Sequence, residues 1–177
     1  MRLAIPVAAA LALAGCASAP KRTAAPAQPF PDAWYGSYAG TMLVDMPGRP
    51  AQSVPMTLEI APTEDPARWH WRIGYAGQPV RDYALEAVDA DAGEYRIDEN
   101  NSIVLDARLL GGVLFCHYAG PWGAYTVRYD FDGETMKFDL VSTAPEATST
   151  TGGAEGVPAF DNIPVIGWQR AVLRRVP

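Results

Sequence analysis

Cysteine is almost absent from this chain, which holds two in 177 residues, Cys16 and Cys116. A disulfide framework is therefore not what holds the fold together. Lysine is as scarce, with Lys21 and Lys137 alone, and the formal net charge is −6. A chain so acidic gains nothing from counterion release, so nucleic acid is not an expected partner. It also lacks the basic cluster that would press its body onto anionic lipid. Histidine is limited to His70 and His117, which excludes a three-histidine zinc site. Cys116 and His117 are neighbours, and on a strand their side chains would point to opposite faces, a poor start for a shared metal.

Catalytic signatures are missing too. No G-x-S-x-G elbow, phosphate-binding glycine loop or dinucleotide fingerprint occurs. Asp89-x-Asp91 superficially fits a calcium loop, but the sixth and twelfth positions hold Glu94 and Asn100 rather than glycine and glutamate. Asp130-x-Asp132-Gly133-Glu134 reads as a hairpin turn, and Asp98-Glu99 as solvated carboxylates beside a turn. Neither an enzyme, a metal nor a cofactor is expected. Cys116, set among Leu114, Phe115 and Tyr118, reads as a buried thiol behaving as a small hydrophobe.

No apolar run reaches the roughly 20 residues that a membrane-spanning helix needs. The one long run, residues 3–14 behind Met1 and Arg2, has instead the charged start and apolar centre of an export signal. It ends in Leu13-Ala14-Gly15-Cys16, which resembles the bacterial lipobox. The resemblance implies cleavage before Cys16 and a diacylglyceryl group on its sulfur. Ala17-Ser18-Ala19 offers a competing site for an ordinary signal peptidase, which would release a soluble protein. Residues 17–31, rich in alanine and proline, read as an extended tether reaching on the order of 40 Å. The expected organisation is a signal peptide over 1–15, a tether over 16–31 and one domain over 32–177. The expected address is the cell envelope, with Cys16 anchoring the protein to a membrane. Ala17 behind that cysteine suits the outer membrane, with the domain facing the periplasm.

What the domain has in abundance is alternation of period two, the mark of half-buried strands. Trp69, Trp71, Ile73 and Tyr75 alternate with Arg68, His70, Arg72 and Gly74. Met56-x-Leu58-x-Ile60, Ile103-x-Leu105-x-Ala107, Tyr125-x-Val127-x-Tyr129-x-Phe131 and Met136-x-Phe138-x-Leu140 behave alike. Turn signals separate them at Asp91-Ala92-Gly93, Asn100-Asn101, Gly111-Gly112, Gly120-Pro121 and Asp132-Gly133; Asn100-Asn101 and Asp132-Gly133 suit tight hairpins. The pattern predicts an all-β domain, a single antiparallel up-and-down barrel of about ten strands, because closure removes the edges of so long a meander. Gly36 and Gly40, on the side of Trp34, Tyr38 and Met42, would let the first strand coil. The Ser/Thr/Gly/Pro-rich stretch 143–163 is too long for a hairpin loop and is either a lid or disordered.

Gly36-Ser37-Tyr38 in the first strand, Arg81-Asp82-Tyr83 midway and arginines in the last strand resemble the calycin barrels. In lipocalins the first strand carries G-x-W, with a final-strand arginine packed on the tryptophan; Tyr38 stands in for that tryptophan and Arg81 for the threonine of T-D-Y. The stretch Trp168 to Arg175 is similar to the last strand of nitrobindin-type haem barrels, through Ala171, Leu173 and Arg175. Trp168 takes the position of the haem-ligating histidine and cannot coordinate iron, so the resemblance implies the barrel without haem. Arg81 to Tyr83, Ile97 to Glu99 and Asn101 to Ile103 are also similar to a pattern in bacterial lipoproteins.

Inward aromatic residues of a barrel this size either fill the lumen or line a cavity for one small ligand. The candidate pocket comprises Trp71, Arg81, Tyr83 and Tyr125. By strand parity Arg81 shares the apolar face with Tyr83, where it must snorkel to the mouth, meet a carboxylate or offer its fork to a ligand anion. The expected partner is a small apolar or amphipathic ligand. The alternative is a non-catalytic scaffold or protein-partner-binding lipoprotein with a filled barrel.

Overall fold

A computed structural model describes residues 29–177. Cys16, the proposed signal peptide and most of the tether lie outside those residues. The described chain begins with a 3-10 turn, Asp32–Trp34, and continues almost wholly as strands: β1 (Gly36–Asp45), β2 (Gln52–Pro62), β3 (Arg68–Tyr75), β4 (Arg81–Asp89), β5 (Glu94–Asp98), β6 (Val104–Leu110), β7 (Val113–Gly120), β8 (Gly123–Phe131), β9 (Thr135–Thr143), β10 (Ser149–Thr151), β11 (Phe160–Asn162) and β12 (Val165–Val176). Ten of these close an antiparallel barrel in the order β1-β12-β9-β8-β7-β6-β5-β4-β3-β2, while β10 and β11 pair only with each other. The expected up-and-down barrel is the observed fold. Its seam joins the first and last strands, Ser37 opposite Val176 through Asp45 opposite Trp168.

Alternation makes the strands. Trp69, Trp71 and Ile73 are buried and face inward, as are Met56, Leu58 and Ile60, Val127 and Tyr129, and Met136 and Phe138. The outward residues between them form cross-strand charge pairs in register: Arg72 with Glu59 and Asp82, Arg96 with Asp106, Arg108 with Glu94, Arg128 with Asp139, and Arg68 with Glu86. Each such exposed pair contributes well under 1 kcal/mol, but their placement favours this register over its neighbours.

One end of the barrel is plugged by the entering chain. Trp34 is buried beneath it, 6.1 Å from the Phe131 ring and 6.5 Å from Trp71, and Phe30 stacks edge-on against Trp34 and Tyr95. Phe30 therefore packs with the barrel, although its surroundings in the sequence read as tether. Tyr38 fixes the plug by donating its hydroxyl to the Trp34 carbonyl at 2.7 Å. Arg175 closes over it, donating to the carbonyls of Tyr35 and Ala33 and to the Tyr38 hydroxyl. The lipocalin-like arrangement of a last-strand arginine on a first-strand aromatic is thus present, with tyrosine as the ring. Gly40 lets β1 approach β12 so closely that a Cβ there would lie 2.4 Å from the Val172 carbonyl oxygen.

Four expectations need correction. Asn100-Asn101 does not make a tight hairpin; it lies in a loop between β5 and β6, where Asn101 accepts the Ile103 N–H, and Ile103 itself precedes the strand and is exposed. A two-residue hairpin forms instead at Gly111-Gly112, with φ of +58° and +84°, the signs that a primed turn requires. Trp168 lies on the outer face, stacked by Arg170 at 4.1 Å and donating Nε1 to Asp139, so it occupies no lumenal position at all. The stretch 143–163 is not an unstructured loop. It leaves the barrel between β9 and β12 as a ribbon, held by Ala144 N–H to Pro164 O and by the β10–β11 ladder.

Candidate functional site

At the end opposite the plug the lumen is open. The connections β1–β2, β3–β4, β5–β6, β7–β8 and β9–β12 surround this mouth. Below it lies an inner cavity of about 70 Å³, lined by Trp71, Ile73, Tyr75, Arg81, Tyr83 and Glu99 together with Cys116, Tyr118 and Tyr129. Above and to one side is a wider vestibule of about 310 Å³, lined by Met42, Val44, Val54, Gln78 and Gln169. Tyr75, Arg81 and Leu140 line both spaces. They form the neck.

Arg81 opens β4, so its side chain projects inward at the rim rather than deep in the barrel. Its guanidinium carbon lies 5.0 Å from the Tyr75 ring centre, a cation–π contact that holds the group over apolar surface. Among the described residues it makes no ion pair within 4 Å. Of the three outcomes open to an inward arginine, the structure takes the first and leaves the third available. Tyr83 stands between Arg81 and Glu99. Burial raises its pKa most, Glu99 raises it further, and Arg81 opposes both.

Apart from Glu99, the cavity walls below the neck are aromatic and aliphatic side chains with the Cys116 thiol. Trp71 is fully buried, and its indole N–H has no hydrogen-bond partner. It lies edge-to-face with Tyr129, ring centres 5.0 Å apart, near enough to oppose the burial that raises the Tyr129 pKa but outside hydrogen-bond geometry. Burial also pushes the Cys116 thiol up to about 12, so this cysteine is an inert wall atom. Tyr118 is likewise raised to about 12, by burial first and by the Glu99 charge second.

Trp71, Arg81 and Tyr83 are thus brought together as the sequence suggested. Tyr125 is not in the cavity wall; it pairs with Tyr118 across β7 and β8 and stacks on it at 5.3 Å, supporting that ring from the rim. Tyr118 and Glu99 were not anticipated. Alternation puts Tyr118 on the inward side of Leu114 and Cys116, and Glu99 on that of Tyr95 and Ile97, but does not give their height at the mouth. Glu99, expected as a solvated turn carboxylate, is half-buried in the wall, while Asp98 points outward to Arg68.

Other sequence candidates are accounted for without chemistry. His117 faces outward against the Thr126 hydroxyl at 2.9 Å, and His70 lies on the outer wall beside Arg72. The Asp132 carboxylate accepts the N–H groups of Glu134 and Thr135, which hold its pKa well below the usual range and commit it to the turn. No cluster of three metal-ligating side chains occurs among the described residues.

No family model matches the chain, and no curated protein does. Solved structures do match in fold. The S-type phycobiliprotein lyase CPES from Guillardia theta superposes with a TM-score of 0.54 at 10% identity, over 82% of this chain and 90% of that one. A protein of unknown function from the DUF3598 family of Nostoc punctiforme gives 0.59 at 12% identity, over 82% of this chain and 48% of that one, so this chain spans about half of that neighbour. Rv2717c from M. tuberculosis gives 0.49 at 15% identity, over 86% and 99%. At these identities the likeness of the first two is one of fold alone.

Proposed function

We propose that this is a calycin-like binding protein of the cell envelope, anchored to a membrane through lipid on Cys16, whose barrel takes a small amphipathic anion. The apolar part of the ligand enters the aromatic-lined inner cavity, and its carboxylate or phosphate stays at the neck with Arg81. The observation that carries this reading is the Arg81 guanidinium, held on Tyr75 between two connected spaces and without a carboxylate of its own among the described residues. Together the spaces approach the few hundred Å³ of ordinary small-molecule sites. A fold neighbour named as a phycobiliprotein lyase is in keeping with a barrel that handles a small molecule, and nothing further is carried over from it.

A second reading, a scaffold with a filled barrel, is favoured by the smallness of the inner cavity, about 70 Å³, and by the packed lower lumen. One titration separates them. Fatty acids of graded length and a neutral fluorescent probe are added to Cys16→Ser and Cys16→Ser/Arg81→Met chains while tryptophan emission is followed. Loss of Arg81 should weaken the anions about tenfold, the worth of one charge-assisted contact, and spare the neutral probe. Anion binding unchanged by Arg81→Met removes Arg81 from the site, and no binding by either chain favours the scaffold. The anchor is tested separately, by fatty-acid labelling of cells carrying wild type or Cys16→Ser; equal labelling refutes it. Membrane fractionation then shows whether the outer membrane is the address.

A further inference from the structure

The large apolar side chains left in solvent are not scattered evenly over the barrel. Each of the five connections around the mouth carries at least one: Met46 between β1 and β2, Val80 between β3 and β4, Ile103 between β5 and β6, Trp122 between β7 and β8, and Phe160 and Ile163 on the ribbon between β9 and β12. Trp122 is 75% exposed at the tip of the Pro121-Trp122 hairpin, and Val80 and Phe160 are 62% and 63% exposed. The four connections at the plugged end carry none of these. They hold Glu64, Asp65, Asp91, Asp132 and Glu134 instead, and the exposed apolar residues near that end, Val88, Leu110 and Val176, sit on strands.

We propose that the mouth docks on a lipid bilayer surface, its apolar loop tips inserted to headgroup depth and the plugged end turned to water. Three features select lipid over a protein partner. The tips stand on separate loops around an opening, so they form a ring of points, whereas a stable protein interface needs about 800 Å² of contiguous surface on each side. Lipid moulds itself around such points. The most exposed tip is tryptophan, whose ring prefers the membrane interface. Finally, the ring encircles the entrance of the space described above, and an amphipathic molecule could pass from bilayer to lumen there without crossing water. That last point rests on the binding reading; the docking itself does not. The plug places the entering chain at the opposite end, so no part of residues 29–35 obstructs the rim. A net charge of −6, with Glu146, Glu155 and Asp161 on the ribbon, means that attraction to anionic lipid does not drive the docking. Apolar insertion does, so it should be insensitive to salt.

The test uses vesicles of phosphatidylcholine with brominated acyl chains, which quench tryptophans that reach them, and the full Cys16→Ser chain with and without Trp122→Phe. Trp34, Trp69 and Trp71 are buried in the barrel, and Trp168 lies on its outer wall. Quenching should fall by more than half in Trp122→Phe and should be equal in low and high salt. Val80→Asp combined with Phe160→Asp, both exposed and so without cost to folding, should cut vesicle partitioning at least tenfold relative to Cys16→Ser alone. Quenching that survives Trp122→Phe would overturn the proposal, because some other segment would then be the contact. So would a dimer, seen by sedimentation without lipid, that the aspartate pair abolishes, since the rim would then belong to a second copy of the chain. The ligand titration is done without vesicles, so failure of one experiment leaves the other standing.

Discussion

Arg175 lies across Tyr38, its guanidinium carbon 5.3 Å from the ring centre and its Nη2 3.0 Å from the phenol oxygen. The same guanidinium donates to the Tyr35 carbonyl at 2.6 Å and to the Ala33 carbonyl at 3.3 Å, so one side chain of the last strand holds the plug beneath the first. Arg175→Met should cost about 2 kcal/mol, the range for hydrogen bonds from a charged donor, and lower the melting temperature by roughly 4–8 °C. Arg175→Lys should recover less than half of this, because an ammonium cannot reproduce the planar fork. Urea unfolding of the three chains measures both.

Two glycine substitutions should differ in size. A methyl on Gly40 meets the Val172 carbonyl at 2.4 Å, and the seam must spread to admit it, so Gly40→Ala should cost about 2 kcal/mol or more. Gly77, at φ +77° in the β3–β4 loop, has nothing within 4 Å, and Gly77→Ala bears only the left-handed backbone penalty of about 1 kcal/mol. A reversed order in denaturant midpoints would show that the seam yields readily at Gly40.

Much of this architecture was legible in the sequence because its signal is local. Trp69, Trp71 and Ile73 betray an inward face by spacing alone, and the Tyr38–Arg175 contact was suggested by the family motif. Placement around the rim was not legible. Glu99 and Tyr118 enter the cavity wall because Glu99, just past the end of β5, and Tyr118, near the end of β7, come level with Arg81 and Tyr83 at the mouth, a property of how the strands are set side by side rather than of any segment. Nor could composition distinguish a loop from the β10–β11 ribbon, whose strands pair only with each other and bury no face. Asn100-Asn101 misled because asparagine suits both a tight hairpin and the side-chain-capped loop actually formed.

Alkaline conditions should loosen the barrel through its buried thiol. In the folded protein Cys116 has its pKa pushed from 9.0 to about 12. Below pH 9 both states hold the proton and the group is neutral in the balance. Between those values the unfolded chain ionises while the folded one cannot, so stability falls as pH rises, by about 1.4 kcal/mol per pH unit for this one group. Unfolding free energies at pH 9 to 11 should therefore fall less steeply for Cys116→Ala than for wild type, although the variant starts lower because of the cavity it leaves. In the native protein a thiol reagent at pH 8 should label Cys116 only as fast as the barrel opens.

Replacing residues 148–162 with a short Gly-Ser turn should change the unfolding free energy by no more than about 0.5 kcal/mol, because the ribbon's strands are exposed and hydrogen-bond only to each other. Affinity for a soluble probe should shift less than twofold, since no ribbon residue lines the cavity or its vestibule. A large loss of probe binding would make the ribbon a lid.

The pairing of Ser37 with Val176 has a kinetic consequence. The ladders from β1 through β9 join neighbours in sequence and can form as local hairpins, but the seam must bring together the two ends of the domain. Closing a loop of that length costs about 4 kcal/mol in chain entropy before any contact returns it, so the seam is expected to zip last. Until it does, β1 and β12 are two complementary open edges, each able to accept the opposite edge of another chain. Crowding many newly made copies together would thus favour strand exchange between molecules over closure within one, and the same residues that complete the barrel would then link barrels into oligomers.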